Sequence, residues 1–287
     1  MRAFVTTLKR DAMQGSERDP EAIVQRLLQS ERHLSAGARD EVLALGAGAV
    51  PALLRILDDE VLEGWAPVHA VRLLGEMRVA EAIGPMLRAL AETDPLDMLR
   101  DAILASMPEI GEPVVEPALR AYSEDDDLAF RESVSSILAR TGVLDDRIFA
   151  VLLEMLAISP WRAGDLAQYG DDRALPYLSR AFDTYTLRAS DSPFANQDLV
   201  ELHAAIEELG GTLTSGQLAK YRKACEPAER WRRQLDAALA SRAPVERPAR
   251  PRPGRNERCW CGSTKKYKKC HLDSDENAAR AGGEVRA

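Results

Sequence analysis

The chain has 287 residues, 45% of them hydrophobic, 29% charged and only 5% aromatic. So many aliphatic and so few aromatic residues favour packed helices over sheets, in one large or two modest domains. No run approaches the length of about eighteen apolar residues that a membrane span needs, and Met1 to Pro20 is charged and too polar for a signal peptide.

The formal net charge of −8 is unevenly placed. Residues 242–271 carry ten Lys and Arg against Glu246 and Glu257, a local +8, and residues 272–287 carry −2, leaving −14 for residues 1–241. An acidic body therefore bears a basic tail. Four cysteines, three at metal-ligand spacing, suit a reducing cytoplasm.

Residues 1–18 read as an N-terminal arm. From Asp19, which caps Pro20 at a first helical position, Ile23, Leu27 and Leu28 form one apolar face. Ser35 opens the next helix, with Val42 and Leu45 inward, and Gly46 ends it. The phrase Gly48-Ala49-Val50-Pro51-Ala52-Leu53-Leu54 then recurs around Pro85, Pro117, Ala150 and Pro176, at spacings of 34, 32, 33 and 26. Proline fits the first turn of a helix, where no backbone donor is lost. Partner helices such as Val68–Gly75 and Arg131–Leu138 lie between.

A period of about thirty residues built from two helices, each with one apolar face, is the signature of a solenoid. Across roughly residues 35–185 the pattern resembles HEAT repeats of the short bacterial kind. The expected fold class is therefore all-α: a HEAT-like α-helical solenoid over residues 19–185, less regular after Pro160.

Residues 186–241 read as capping helices that close the solenoid's end. One carries Leu199, Leu202, Ile206 and Leu209 on a single face and stops at Gly210-Gly211. Thr214-Ser215-Gly216-Gln217 reads as a capping box, and Pro227 as the start of a further helix with Trp231, Leu235, Ala238 and Leu239 on one face. In residues 242–253 prolines and arginines interleave without apolar periodicity, as in an extended flexible linker.

Residues 254–273 hold Cys259, Cys261, Cys270 and His271, spaced C-x-C-x8-C-H. Thiolate and imidazole are ligands that Zn²⁺ prefers, and four of them complete a tetrahedral shell. A redox C-x-C pair or a catalytic zinc competes with this reading. Against them stand the Cys-His pair downstream and the filling of all four positions from one segment. One structural zinc ion is the expected cofactor, although the spacing alone does not separate zinc from iron. A peptide this short buries no core of its own, so metal binding supplies its folding energy. Lys265, Lys266, Lys268 and Lys269 surround the site and favour thiolate over thiol.

This segment resembles the SEC-C motif, the zinc-binding module at the C-terminus of the bacterial translocation ATPase SecA and of many other bacterial proteins. The resemblance rests on Gly254, Arg255, Asn256, Glu257, Cys259, Cys261, Gly262, Ser263, Lys265, Lys266, Tyr267, Lys268, Cys270 and His271. The chain departs from the pattern at Arg258, Trp260 and Thr264, where the family usually has Pro, Pro and Gly. At position 264 a turn with positive φ suits glycine and not a β-branched residue. In SecA the similar module binds an export chaperone and the ribosome, so the resemblance implies an acidic chaperone or the ribosome as partner.

Trp260, Lys265, Lys266, Tyr267, Lys268 and Lys269 are the candidate partner contacts. The remaining residues, 274–287, read as a polar, disordered tail. His33, His69 and His203 stand apart from Cys, Asp or Ser partners and read as ordinary surface or core histidines. Cys225 reads as an inert thiol. Glu124-Asp125-Asp126-Asp127 lacks the spaced ligands of a calcium loop and reads as a solvated loop that caps the helix at Leu128. No catalytic constellation and no organic-cofactor site emerges.

The expectation is a non-enzymatic cytoplasmic adaptor. Its solenoid would bind a protein partner, and its zinc module would make a second contact with a chaperone or ribosome. The alternative is nucleic-acid binding, to ribosomal RNA, through the basic tail.

Overall fold

The computed structural model describes residues 22, 26–27, 29, 32–58, 64–241 and 253–283. The expected N-terminal arm, the first cap at Asp19 and residues 242–252 of the linker lie outside them. The described residues are helical, without a strand; a single antiparallel bridge joins Arg258 and Lys266. No described helix is long and apolar enough to cross a membrane. The chain divides into two compact units, Met1–Arg230 and Trp231–Ala287.

In the first unit, α1 (Ala36–Leu45) is followed by five helix pairs. These are α2 (Val50–Leu57) with α3 (Ala66–Glu76), α4 (Ile83–Glu92) with α5 (Met98–Ser106), and α6 (Val115–Glu124) with α7 (Leu128–Ala139). Then come α8 (Asp146–Ile158) with α9 (Ala163–Tyr169), and α10 (Leu175–Thr184) with α11 (Gln197–Glu208). Each helix packs on its pair mate and on the equivalent helix of the next pair: α2 on α4, α4 on α6, α6 on α8 and α8 on α10 in one layer. The other layer runs α3, α5, α7, α9, α11 in the same manner.

The sequence dictates these elements locally. Ser35 caps α1, its side chain accepting from the Ala38 amide, and Asp127 caps α7 by accepting from Phe130 at 2.7 Å. The recurring proline lies in the first turn of all four helices, as expected: at the second residue of α2 and α10 and at the third of α4 and α6. Leu53, Met86, Leu90, Ile103, Val134, Leu138, Leu152 and Phe182 are all fully buried between the layers. Burying a side chain of this size contributes roughly 1.5–3 kcal/mol.

At Gly75 the backbones of α3 and α5 come so close that a Cβ would lie 2.6 Å from the Ser106 carbonyl oxygen. Only glycine allows that approach. Between pairs, the buried Arg100 guanidinium donates to the carbonyls of Thr93 at 3.1 Å and Ala129 at 2.5 Å, and to Ser133 Oγ at 2.5 Å. It thereby ties the end of α4 to the start of α7.

The Leu199, Leu202 and Ile206 face of α11 is buried, and Gly210 stops the helix at φ +78. The capping box forms in both directions: Thr214 N donates to Gln217 Oε1 at 2.9 Å, and Gln217 N donates to Thr214 Oγ1 at 3.2 Å. It opens α12 (Ser215–Ser241), a single helix with Pro227 inside it, where the sequence reading placed a new helix start. Proline costs one backbone bond there, which the helix-forming residues on either side offset. Trp231, Leu235 and Leu239 are 48%, 39% and 53% exposed, where their spacing suggested a buried face.

Candidate metal centre

The second unit builds its site from a short hairpin. Gly254 and Glu257 close the first turn. The Glu257 amide donates to the Gly254 carbonyl at 2.9 Å, and the Gly254 amide donates back to Glu257 Oε2 at 2.8 Å. The segment after it then runs beside the returning chain. Tyr267 N donates to Glu257 O at 2.8 Å, Lys268 N to Arg255 O at 3.0 Å and Cys259 N to Lys265 O at 2.9 Å.

Reversal happens between Cys259 and Lys265, through Gly262 at φ +81 and Thr264 at φ +58. The positive φ at position 264 is the conformation that suits glycine, and here a β-branched residue adopts it. A 3₁₀ turn, Tyr267–Lys269, then delivers Cys270 and His271, both amides donating to the Tyr267 carbonyl at 3.1 Å.

The result is convergence of all four expected ligands. One ligand atom from each of Cys259, Cys261, Cys270 and His271 lies within 4.8 Å of all the others, the only such grouping of three or more His, Cys, Asp or Glu among the described residues. Cys261 Sγ is 3.6 Å from Cys270 Sγ, and His271 Nδ1 is 3.3 Å from Cys259 Sγ and 3.2 Å from Cys270 Sγ. A tetrahedral ion with metal–sulfur bonds of about 2.3 Å and a metal–nitrogen bond of about 2.05 Å requires edges near 3.8 and 3.6 Å. These three edges lie a few tenths of an ångström short of that, and all four donor atoms stay within 4.8 Å of one another, so small shifts let the donor set hold a four-coordinate ion, with Nδ1 as the donor of His271.

Electrostatics around the thiols point the same way. Hydrogen bonds from the Ser263 side chain and backbone bring the Cys261 thiol down to about 6, whereas burial pushes the Cys259 thiol up. Ser263 Oγ also lies 3.2 Å from Cys270 Sγ, so one hydroxyl serves two sulfurs. Lys265, Lys266, Lys268 and Lys269 are all exposed around this centre. A bound ion would be held by all four side chains, with no ligand position left for a reacting group.

The sequence reading missed the shell that orients the imidazole. Residues 274–283, expected to belong to a disordered tail, lie instead in α13 (Leu272–Gly283), which starts directly after the last ligand. Its Asp275 amide donates to the His271 carbonyl at 2.9 Å. The Asp275 carboxylate accepts from the Tyr267 hydroxyl at 2.8 Å and from Trp260 Nε1 at 3.3 Å. The Trp260 ring in turn lies 4.7 Å from the His271 ring. Acidic residues Asp273 and Asp275 in the first turn also suit the positive end of a helix.

Tyr267, a candidate partner contact, is 1% exposed and forms the module's core instead. Trp260 remains 44% exposed while its other side covers His271. Elsewhere, His69 is buried beside Trp65, and His203 stacks on Tyr221 at 4.2 Å. Burial and the neighbouring Cys225 thiol push the Tyr221 phenol up to about 12.

Comparison with known proteins agrees with this geometry over the same segment. No curated protein matches the chain. The family model described as the SEC-C motif matches residues 255–273, which span all four ligands. An all-helical protein thus carries, near its C-terminus, a SEC-C motif whose Cys₃His cluster is shaped to hold a metal ion.

Proposed function

We propose that the protein is a non-enzymatic adaptor in the bacterial cytoplasm. Its stacked helix pairs act as a HEAT-like solenoid that holds a protein partner. Its SEC-C module binds one structural zinc ion and makes a second contact, with an acidic chaperone or the ribosome. The carrying observation is the Cys₃His cluster ringed by exposed lysines within the SEC-C match. Three thiolates, one neutral imidazole and Zn²⁺ give a formal charge near −1, which the lysines offset, leaving a basic surface suited to an acidic partner. Two attachments on one chain raise the effective concentration of each, which suits recruitment.

A crosslinking pulldown comparing the whole chain with one ending at Ser241 tests this reading. Chaperone or ribosome recovery only by the whole chain, lost on chelation or in Cys259→Ser, supports it. Equal recovery by both chains removes the module from the recruiting role.

The exposed lysines also favour a second reading, nucleic-acid binding through the basic tail. With Tyr267 buried, Trp260 is the module's exposed ring for stacking on a base, and the charge of −14 on residues 1–241 opposes a polyanion. Binding to RNA that falls steeply with salt, and less steeply in Lys265→Ala or Lys266→Ala, would favour this reading over the adaptor.

A further inference from the structure

In the first unit, one edge differs from the other. Helices joined by short turns and packed on one another run antiparallel. The turns leaving α4, α6, α8 and α10 therefore share an edge, and the connections entering these helices share the opposite one. Each of the four leaving turns, or the helix residue directly after it, presents an exposed large apolar side chain: Leu96 at 95%, Leu128 at 45%, Trp161 at 49% and Phe194 at 71%. The opposite edge presents fewer: Leu144 in a connection and Tyr177 in the first turn of α10. Scattered exposed leucines need no explanation, but recurrence at equivalent turns does.

The first two of these turns are also strongly charged. Residues 92–98 and 123–128 contain seven Asp and Glu and no Lys, Arg or His. Local structure accounts for three of them: Asp97 and Asp127 cap α5 and α7, and Asp125 accepts from the Asp127 amide. Glu92, Asp94, Glu124 and Asp126 are exposed and make no ion pair among the described residues. Acids elsewhere in the α2–α10 layer do pair with the next helix, as Asp58 at the end of α2 does with Arg88 and Glu116 with Arg147. Arg100, buried beneath, bonds to Thr93 in one turn and Ala129 just past the other, so the two turns are fixed to each other before any partner arrives.

We infer that this edge, with Leu96, Met98 and Leu128 as anchors and Asp94, Glu124 and Asp126 around them, docks a basic segment of a partner protein that carries apolar side chains among its Lys and Arg residues. Such a segment relieves the like-charge repulsion and covers the exposed anchors together, which neither a purely basic nor a purely apolar segment does. The inference rests on the reading that the helix pairs hold a protein, and it assigns the face and the chemistry.

The test is fluorescence anisotropy with the full chain and three labelled probe peptides of equal length: one mixing Arg and Leu, one with Ser replacing Leu, and one with Glu replacing Arg. The Arg/Leu probe should bind at least about tenfold more tightly than either other probe. Leu96→Ser with Leu128→Ser, and separately Glu124→Gln with Asp126→Asn, should each weaken it by about tenfold. Glu109→Gln with Glu112→Gln, the same charge change at the opposite edge, should alter it by less than about twofold. All substitutions are at exposed positions, and an unchanged circular dichroism spectrum confirms the fold.

Equal weakening by the opposite-edge pair, equal binding of the Ser probe, or no binding of the Arg/Leu probe each overturns the inference. Any of these results leaves the pulldown test of the adaptor reading unaffected.

Discussion

At the scale of single residues, two side chains sit where their chemistry works against the fold. Thr264 holds φ +58, a left-handed conformation that costs an L-residue about 1–2 kcal/mol. Thr264→Gly releases that strain and gives back roughly 0.5–1 kcal/mol in chain entropy. The expected outcome is metal retention tighter by up to about fivefold in a chelator competition. The second is Asp165, whose carboxyl burial raises, with the Arg162 charge and the Ser136 hydrogen bonds only partly compensating. A carboxyl with a raised folded-state pKa weakens the fold above that pKa, and the penalty vanishes as pH falls below the unfolded value of 3.8. Asp165→Asn should therefore be more thermostable than the wild type at pH 7, with the gap closing on acidification. A melting series from pH 7 to pH 3.5 checks the sign.

Helix ends show a regularity at the scale of elements. The five helices α3, α5, α7, α9 and α11 are each followed within a few residues by a positive φ, at Arg78, Gly111, Gly142, Gly170 and Gly210. Four are glycine and one is not, so Arg78→Gly should stabilise the first unit by up to about 1 kcal/mol, read as a higher urea midpoint. Asp275 anchors helix α13 to the module: without its carboxylate, Tyr267 and Trp260 both lose a hydrogen-bond acceptor. Asp275→Ala should speed metal release to a chelator about tenfold, each lost bond counting roughly 0.5–1.5 kcal/mol. The Co²⁺ absorption spectrum should stay tetrahedral, because the ligands are untouched.

Much of this was legible in sequence because it is local. Ser35, Asp127 and the Thr214/Gln217 box act on amides two or three residues away, and the four metal ligands lie within thirteen residues. What escaped depends on packing. Tyr267 looks like a surface aromatic among lysines until its hydroxyl meets Asp275. Arg100 looks like any helix-surface arginine until two neighbouring turns close over it. Pro227 reads as a helix start on propensity alone, yet the helix passes through it. The paired Asp-Asp-Arg runs at 145–147 and 171–173 were a repeat signal overlooked. In each run the first Asp accepts from the backbone and side chain of the Arg two residues on.

The two units of the whole molecule differ in what holds them together. The first rests on a continuous buried aliphatic core. In the second, the buried side chains among the described residues are Cys259, itself a metal ligand, and Tyr267. Metal removal should thus unfold only the second: chelation should abolish amide protection in residues 254–283 and leave that of residues 64–230 unchanged, as hydrogen exchange would read. Loss of protection across α2–α11 would instead mean that the ion supports both units.

Packing in the first unit has a kinetic counterpart. Its main contacts join each helix to its pair mate or to the next pair, so the core closes without bringing distant stretches of chain together. Low contact order of this kind lowers the entropic barrier to folding and speeds it. A nucleus can form at any pair and spread in either direction, and a chain emerging from synthesis can bury each pair against the one before it.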